Sequence, residues 1–279
     1  LNLNKEEVLK IIDNALEEDL WTGDITTEAI IDKSRQITGT FLAKESGVIA
    51  GLEVVKMVFK KVDSKLNFKF LIDEGTKVEA GEEIAEISGV ASSILTGERL
   101  ALNFLQRMSG IATKTAKYKK LVTDYDVRIV DTRKTTPGLR ILEKYAVRIG
   151  GGSNHRLGLY DAVMIKDNHI RAVGGIKEAV KRAKANIPHT MTVEVETEDL
   201  ADVKEALEAR ADIIMLDNMS SKMMKEAVEL IDGEAIVEAS GGITNETIAE
   251  VAATGVDVIS LGTLTHTINS LDISLNFEV

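Results

Sequence analysis

Cysteine is absent from the 279 residues. That excludes disulfides, thiol nucleophiles and cysteine-ligated metals together. Proline occurs only twice, at Pro137 and Pro188, which leaves little room for extended linkers. No apolar run approaches the roughly 18–20 residues of a membrane span, and the opening "LNLNKEEVLK" has no signal-peptide pattern. Excess positive charge is also missing: 34 Lys and Arg stand against 45 Asp and Glu, a net charge of −11. That balance argues against general binding to nucleic acid or an anionic membrane, both of which require a basic face. The expectation is a soluble, cytoplasmic protein. Its 44% hydrophobic and 28% charged content suits a folded chain rather than a disordered one, and its length allows one large domain or two ordinary ones.

The two halves have different rhythms. In the first, "NKEEVLKIIDNALEEDL" places Val8, Leu9, Ile11, Ile12, Ala15 and Leu16 at the spacing of an amphipathic helix. Strand-like pieces follow at "ITGTFLA" and "GVIAGL", then a helix at "EVVKMVFKKV". "LNFKFLI" and "EGTKVEAGEEIAEISG" alternate and turn at glycines like antiparallel strands. The latter also has the glycine spacing of biotin- or lipoyl-carrier half-domains, but no modified-lysine motif surrounds it, so the likeness is one of β topology. A long helix is expected from near Thr96.

The second half repeats. Short apolar runs, "VRIVDT", "AVMIKD", "MTVEVET", "DIIMLDN", "AIVEASGG" and "DVISLGT", each precede a helix-like stretch. Their spacing is that of βα units, and their continuous apolar content suits strands buried on both faces of a parallel sheet. Six units are too few for a standard eightfold barrel. An incomplete barrel and a doubly wound sheet both remain open, and the fold class is α/β.

Charge is unevenly placed along this half. Between Arg128 and Arg171 nine Lys and Arg face four Asp and Glu, with His155 and His169 besides; the rest of the chain has 25 against 41. Such separation suits a pocket for a small, multiply charged anion. In βα architectures functional groups gather at the C-terminal ends of strands. Those ends here carry Thr132, Arg133 and Lys134; Lys166; Glu194 and Glu196; Asp217; Ser240, Gly241 and Gly242; and Leu261, Gly262 and Thr263.

Each candidate has a bland alternative. Arg133 and Arg156 could bind carboxylates as planar forks, and Lys134 and Lys166 phosphate as point charges. Glu196 and Asp217 could hold Mg2+ or ribose hydroxyls, or serve as ordinary caps and ion-pair partners. Glu194 shares a strand face with Glu196, so one of the two could be structural. His155 could donate to a carboxylate or act as an acid, although a single His is more often structural. "KDNH" at 166–169 suggests metal ligation or simple helix capping equally well. The loop "IGGGSNHR" suits a lid, a close substrate approach or a plain long turn. "SGGITNET" offers Thr244 as a helix N-cap and glycines for phosphate approach, or an ordinary tight turn.

Taken together, "GERLALNFLQRMSGIAT", "DTRKTTPGLR", "GGGSNHRLGLYDAVMIKDNHI", "VEVET", "IIMLDN", "EASGGIT" and "VDVISLGTLTH" resemble the quinolinate phosphoribosyltransferase family, in order and over nearly the whole chain. The resemblance implies an N-terminal α/β, sandwich-like domain over residues 1–107, joined by 270–279. It implies an open barrel of about six strands over 108–269, and a homodimer or higher oligomer with shared active sites. Quinolinate and phosphoribosyl pyrophosphate would be the substrates and Mg2+ the cofactor. Carried over by position, Arg133, Lys134, His155 and Arg156 would surround quinolinate, with Lys166 between the substrates. Glu196 and Asp217 would hold ribose hydroxyls and Mg2+. Ser240–Gly242 and Leu261–Thr263 would cradle the 5-phosphate, and Arg99 would come from the partner subunit. Two alternatives compete: a related enzyme acting on another small anion, and a non-catalytic phosphometabolite sensor.

Overall fold

The computed structural model describes residues 3–277. The chain divides into two compact units. The first runs up to Ala116, takes in Thr135–Gly151 and resumes at Leu264; the second comprises Lys117–Lys134 and Gly152–Thr263.

In the first unit, α1 (Lys5–Leu20) begins where the Asn4 side chain accepts from the backbone N–H groups of Glu6 and Glu7. Asp24 caps α2 (Ile25–Ile30) in the same way through Thr27. Strand β1 (Gln36–Ala43), β2 (Gly47–Val48), helix α3 (Leu52–Val62), β3 (Asn67–Phe70), β4 (Lys77–Val78) and β5 (Glu83–Val90) follow. The expected strand "GVIAGL" shrinks to two residues, paired with β4. Phe41 on β1, Phe59 on α3 and Phe68 on β3 meet with ring centroids 5.9–6.1 Å apart, joining helix and sheet in one apolar core.

Helix α4 (Ala91–Leu121) starts five residues earlier than the sequence suggests, directly from the end of β5. Its serine-rich first turn has weak helix propensity, but Ala91 and Ile94 are buried there, and burial overrides propensity. A Cβ on Gly97 would stand 3.1 Å from the Phe59 ring, so close packing of α4 on α3 accounts for a glycine inside the helix.

The remaining elements are β6 (Arg128–Val130), α5 (Arg140–Ile149), β7 (Val163–Ile165), α6 (Asp167–Val173), α7 (Ile176–Asn186), β8 (Val193–Thr197), α8 (Leu200–Glu208), β9 (Ile213–Asp217), α9 (Ser221–Ile231), β10 (Ile236–Ser240), α10 (Ile248–Ala252), β11 (Val258–Ser260), α11 (Thr263–His266) and β12 (Ile273–Phe277). Strand β12 pairs antiparallel with β1, giving the first unit a sheet of order β12-β1-β5-β3.

The second unit holds a six-stranded sheet of order β6-β11-β10-β9-β8-β7, and every pairing in it is parallel. Strands β7 to β11 lie side by side in chain order, and β6 joins beyond β11. A doubly wound sheet reverses direction at a switch point. From β7 to β11 the winding keeps one direction, and the first strand, β6, lies beside the last, β11, as in a barrel; the choice falls on the incomplete barrel, open between β6 and β7. Among the described residues no helix is long and apolar enough to cross a membrane.

Candidate active site

Residues paired across parallel strands point to the same side, and residues two apart share that side. The registers Met164↔Glu194↔Ile213, Met215↔Glu238↔Val258 and Val258↔Arg128 therefore place a single row on one face of the barrel sheet. That face carries Arg128, Glu194, Glu196, Asp217, Glu238, Ser240 and Ser260. Lys166 extends it, because its extended backbone continues the parity of β7. The opposite face reads Ile129, Ile165, Val193, Val195, Ile214, Leu216, Val237, Ala239 and Ile259, all buried and apolar. One face is thus apolar apart from the buried Thr197 that ends β8, whereas the other sets its charged groups among Val130, Met164, Ile213, Met215, Ile236 and Val258.

The cation-rich segment is tied to the end of β6. Ser153 bridges to Val130, and its N–H donates to the Ile129 carbonyl at 2.8 Å. The fully buried Asp131 carboxylate accepts from the Asn154 side chain at 2.5 Å and from the His155 N–H at 2.9 Å. Arg156 follows, with its guanidinium donating to the Ala162 carbonyl at 3.2 Å and lying against the Met164 sulfur at 3.5 Å. Burial, and then the neighbouring Arg133 guanidinium, hold the Arg156 guanidinium below its ordinary value, while Glu194 and Asp161 act the other way. A guanidinium whose charge is disfavoured by burial and by a neighbouring cation is a ready site for an anion. Thr132 accepts from the Lys134 N–H at 3.0 Å, fixing the turn that carries Arg133.

The two glutamates of β8 separate. Glu196 forms an ion pair with Lys166 across from β7 and keeps some solvent access. Glu194 is buried at 3% exposure and faces His155. Asp217 shares its face with Glu196 and accepts from the Asn218 side chain at 2.7 Å. Asn218 adopts a left-handed backbone, and its N–H donates to the Ser240 carbonyl at 3.0 Å. A Cβ on Gly241 would stand 2.3 Å from Asn218 Oδ1, and Gly241 has φ +87°. Glycine is demanded at that position by the chain itself, whatever else it approaches.

His155, Glu194 and Glu238 offer ligand atoms that all lie within 4.8 Å of one another, the group of at least three among the described residues with this geometry. His155 Nε2 is 3.2 Å from Glu194 and 3.6 Å from Glu238. Burial, and then the Glu194 carboxylate beside it, push the Glu238 carboxyl up to about 7; His155, Ser260 and Arg128 pull it down. One oxygen each of Glu194 and Glu238 is buried without a hydrogen-bond partner among the described residues. Sequence reading missed Glu238, hidden within "AIVEAS". Its signal was parity: a lone charge two residues before Ser240, on the face of the strand that ends in polar groups.

At the remaining strand ends, the helix after β10 does not begin at Thr244. Thr247 is the N-cap of α10, and Thr244 instead closes the preceding turn, accepting from the Glu246 N–H at 3.3 Å and donating its own N–H to Thr247 Oγ1 at 3.0 Å. Two polar residues, Asn245 and Glu246, thereby form a turn before the apolar helix. Gly242 lies beside Gly241 with φ +61°. Leu261 is buried, its N–H donating to Val130 O at 2.9 Å, and Thr263 shares a side-chain hydrogen bond with Tyr118. In "KDNH", the Lys166 N–H donates to His169 Nδ1 at 3.0 Å, which is helix capping. Arg99 lies exposed on α4, in the first unit, whereas all the other candidates belong to the second.

Comparison with known proteins bears on this arrangement. Residues 24–109 match the family model of the quinolinate phosphoribosyl transferase N-terminal domain, and residues 111–276 match that of its C-terminal domain. The chloroplastic nicotinate-nucleotide pyrophosphorylase (carboxylating) of Arabidopsis thaliana is 46% identical over 289 residues, covering 96% of this chain and 82% of the relative. The crystal structure of NadC from Streptococcus pyogenes is 45% identical with a TM-score of 0.95, covering 99% of this chain and 98% of the other. The nicotinate-nucleotide pyrophosphorylase from Francisella tularensis is 40% identical, also with a TM-score of 0.95 and the same coverage. With both family models matched in order and the open barrel in common, the chain belongs to the quinolinate phosphoribosyltransferase family.

Proposed function

We propose that this protein transfers the phosphoribosyl group of phosphoribosyl pyrophosphate to quinolinate with loss of CO2, giving nicotinate mononucleotide and pyrophosphate. The observation that carries the reading is the charged barrel face, with Lys166, Glu196 and Asp217 at its strand ends and the Arg133–Arg156 pair alongside. Both substrates are multiply anionic, and adjacent guanidiniums suit a molecule with two neighbouring carboxylates. A sensor of phosphometabolites would need the glycine turns but not this second cationic site.

In this reading Arg133, Lys134, His155 and Arg156 surround the carboxylates of quinolinate, and Lys166 stands between the substrates. Glu196 and Asp217 take ribose hydroxyls and Mg2+. Ser240, Gly241, Gly242, Leu261, Gly262 and Thr263 take the 5-phosphate, and Thr132 orients its neighbours. The working division is residues 1–107 with 270–279 against 108–269. Homodimers bring Arg99 of one subunit to the site of the other, and the acidic composition suits the cytoplasm.

The donor chemistry fits the ion. Glu196 and Asp217 are oxygen donors on one face of adjacent strands, and Mg2+ typically takes one or two carboxylates together with substrate phosphates. When bound, Mg2+ supplies charge neutralisation to the pyrophosphate.

The chemistry follows from charge. As pyrophosphate departs, the ribosyl C1 becomes oxocarbenium-like, and the pyridine nitrogen attacks it from a fixed orientation. The resulting cationic ring nitrogen stabilises the electron pair left on C2 when the adjacent carboxylate leaves as CO2, and a proton then replaces it. Such a sequence needs preorganised charge and positioning more than a strong base. Release of labelled CO2 from carboxyl-labelled quinolinate, with phosphoribosyl pyrophosphate and Mg2+, tests the proposal. No release from folded protein would favour the sensor.

A further inference from the structure

Two glutamates buried beside one histidine are costly unless they do something, and three explanations compete. The cluster could hold a metal ion, could be a bland packing feature, or could set the state of the imidazole. The spacing suits a metal: 3.2 and 3.6 Å from His155 Nε2 to the two carboxylates is close to the distance between ligands around a small cation whose bonds are about 2.0–2.2 Å. The other ring nitrogen decides the matter. His155 Nδ1 accepts the backbone N–H of Arg156 at 2.7 Å. An acceptor nitrogen carries a lone pair, so in the neutral ring the proton sits on Nε2. A protonated Nε2 cannot ligate a metal; it donates to a carboxylate. Metal-bound histidines instead donate their far N–H to an acceptor, and here the far nitrogen meets a donor.

We infer that Glu194, backed by Glu238, is a positioning residue for Arg156, acting through the tautomer of His155. Glu194 accepts the Nε2 proton, which leaves the Nδ1 lone pair to accept the Arg156 N–H. Asp131 holds the preceding N–H, that of His155, at 2.9 Å. Both backbone donors of the His155–Arg156 pair are therefore fixed by side chains, and the Arg156 guanidinium is aimed by Ala162 and Met164. In the opposite tautomer the Arg156 N–H would face another N–H. The loss of that acceptor would release the segment that carries the cation. The inference rests on the proposed binding of quinolinate by Arg156.

The test begins with the unaltered protein. Long-range proton–nitrogen spectra of histidine-labelled protein, with His155 assigned from a His155→Gln sample, should show Nε2 protonated and Nδ1 with a free electron pair. A protonated Nδ1 would overturn the inference, as would displacement of the Nε2 proton by added Zn2+ or Mg2+. Kinetics supply the second arm. Glu194→Gln keeps a carbonyl acceptor and should leave the tautomer in place, with the quinolinate KM within about threefold of wild type. Glu194→Met has similar bulk and no such acceptor. It should raise the quinolinate KM by about tenfold or more, with the phosphoribosyl pyrophosphate KM unchanged. Equal effects of the two substitutions, or loss that falls on both substrates alike, would count against a positioning role. Should the Met variant fail to fold, the tautomer spectrum of the wild type still decides. Wild-type protein that neither binds nor turns over quinolinate would strike the functional reading instead, separately from the spectrum.

Discussion

Arg156 concentrates the chemistry of the site in one side chain. It sits beside Arg133, is depressed first by its own burial, and is held at both its backbone and its guanidinium. Arg156→Lys keeps the charge and loses the planar fork. Quinolinate affinity measured by calorimetry should fall by about 1–3 kcal/mol. Unchanged affinity would remove Arg156 from contact with the substrate. Glu238 makes a different claim, about pH. Its carboxyl titrates at about 7 in the fold because it is buried beside Glu194, against 4.5 for the ordinary group. A raised carboxyl favours the folded state while protonated, so this contribution is complete below about pH 4.5 and is lost as pH rises through about 7. Glu238→Gln cannot ionise. Relative to wild type it should gain about 1–3 kcal/mol in urea unfolding between pH 5 and pH 8. A difference that stays constant with pH would show that Glu238 titrates normally.

At this scale legibility depended on where a residue stands along its strand. Lys166, Glu196 and Asp217 end their apolar runs, so the run itself marks them. Glu238 and Glu194 lie inside theirs, where a charge reads as an anomaly rather than a site. The partners of His155 could not be read at all, because Arg156 is its neighbour in sequence whereas Glu194 and Glu238 come from other strands.

Elements were legible where periodicity is strong and uncertain where a single turn residue decides. All six barrel strands lie within the apolar runs that announce them, and α1 begins at its Asn4 cap. The start of α4 and the cap of α10 were displaced, since packing of Ala91 and Ile94, and the turn closed by Thr244, lie beyond what local propensity records. The β10–α10 connection shows why a glycine can be misjudged. Gly241 looks like a phosphate approach, yet its φ of +87° and its contact with Asn218 require glycine before any ligand arrives. Gly241→Ala should therefore lower stability by about 1–3 kcal/mol in urea unfolding, with phosphoribosyl pyrophosphate absent. If stability is unchanged while affinity for phosphoribosyl pyrophosphate falls, the glycine serves the ligand and not the turn.

For the whole molecule, six βα units in sequence could not distinguish an incomplete barrel from a doubly wound sheet. Strand order is a long-range property, decided here by the run of β7 to β11 in chain order together with the pairing of β6 with β11. The proposed assembly of two chains is more remote still from sequence. Arg99 tests it. This arginine is exposed on α4, outside the unit that carries the other candidates, and beside Glu98, whose carboxyl burial raises and Arg99 lowers. A solvated surface residue would look the same. If instead it completes the partner's site, Arg99→Ala and Lys166→Ala homodimers should each be folded and nearly inactive. Co-refolding equal amounts gives mixed dimers for about half of the total by random pairing. In each mixed dimer one site lacks both side chains, while the other combines Lys166 of one subunit with Arg99 of its neighbour. Activity should then return to roughly a quarter of wild type. An arginine that serves its own subunit would give no recovery, because every site in every dimer would lack one of the two residues.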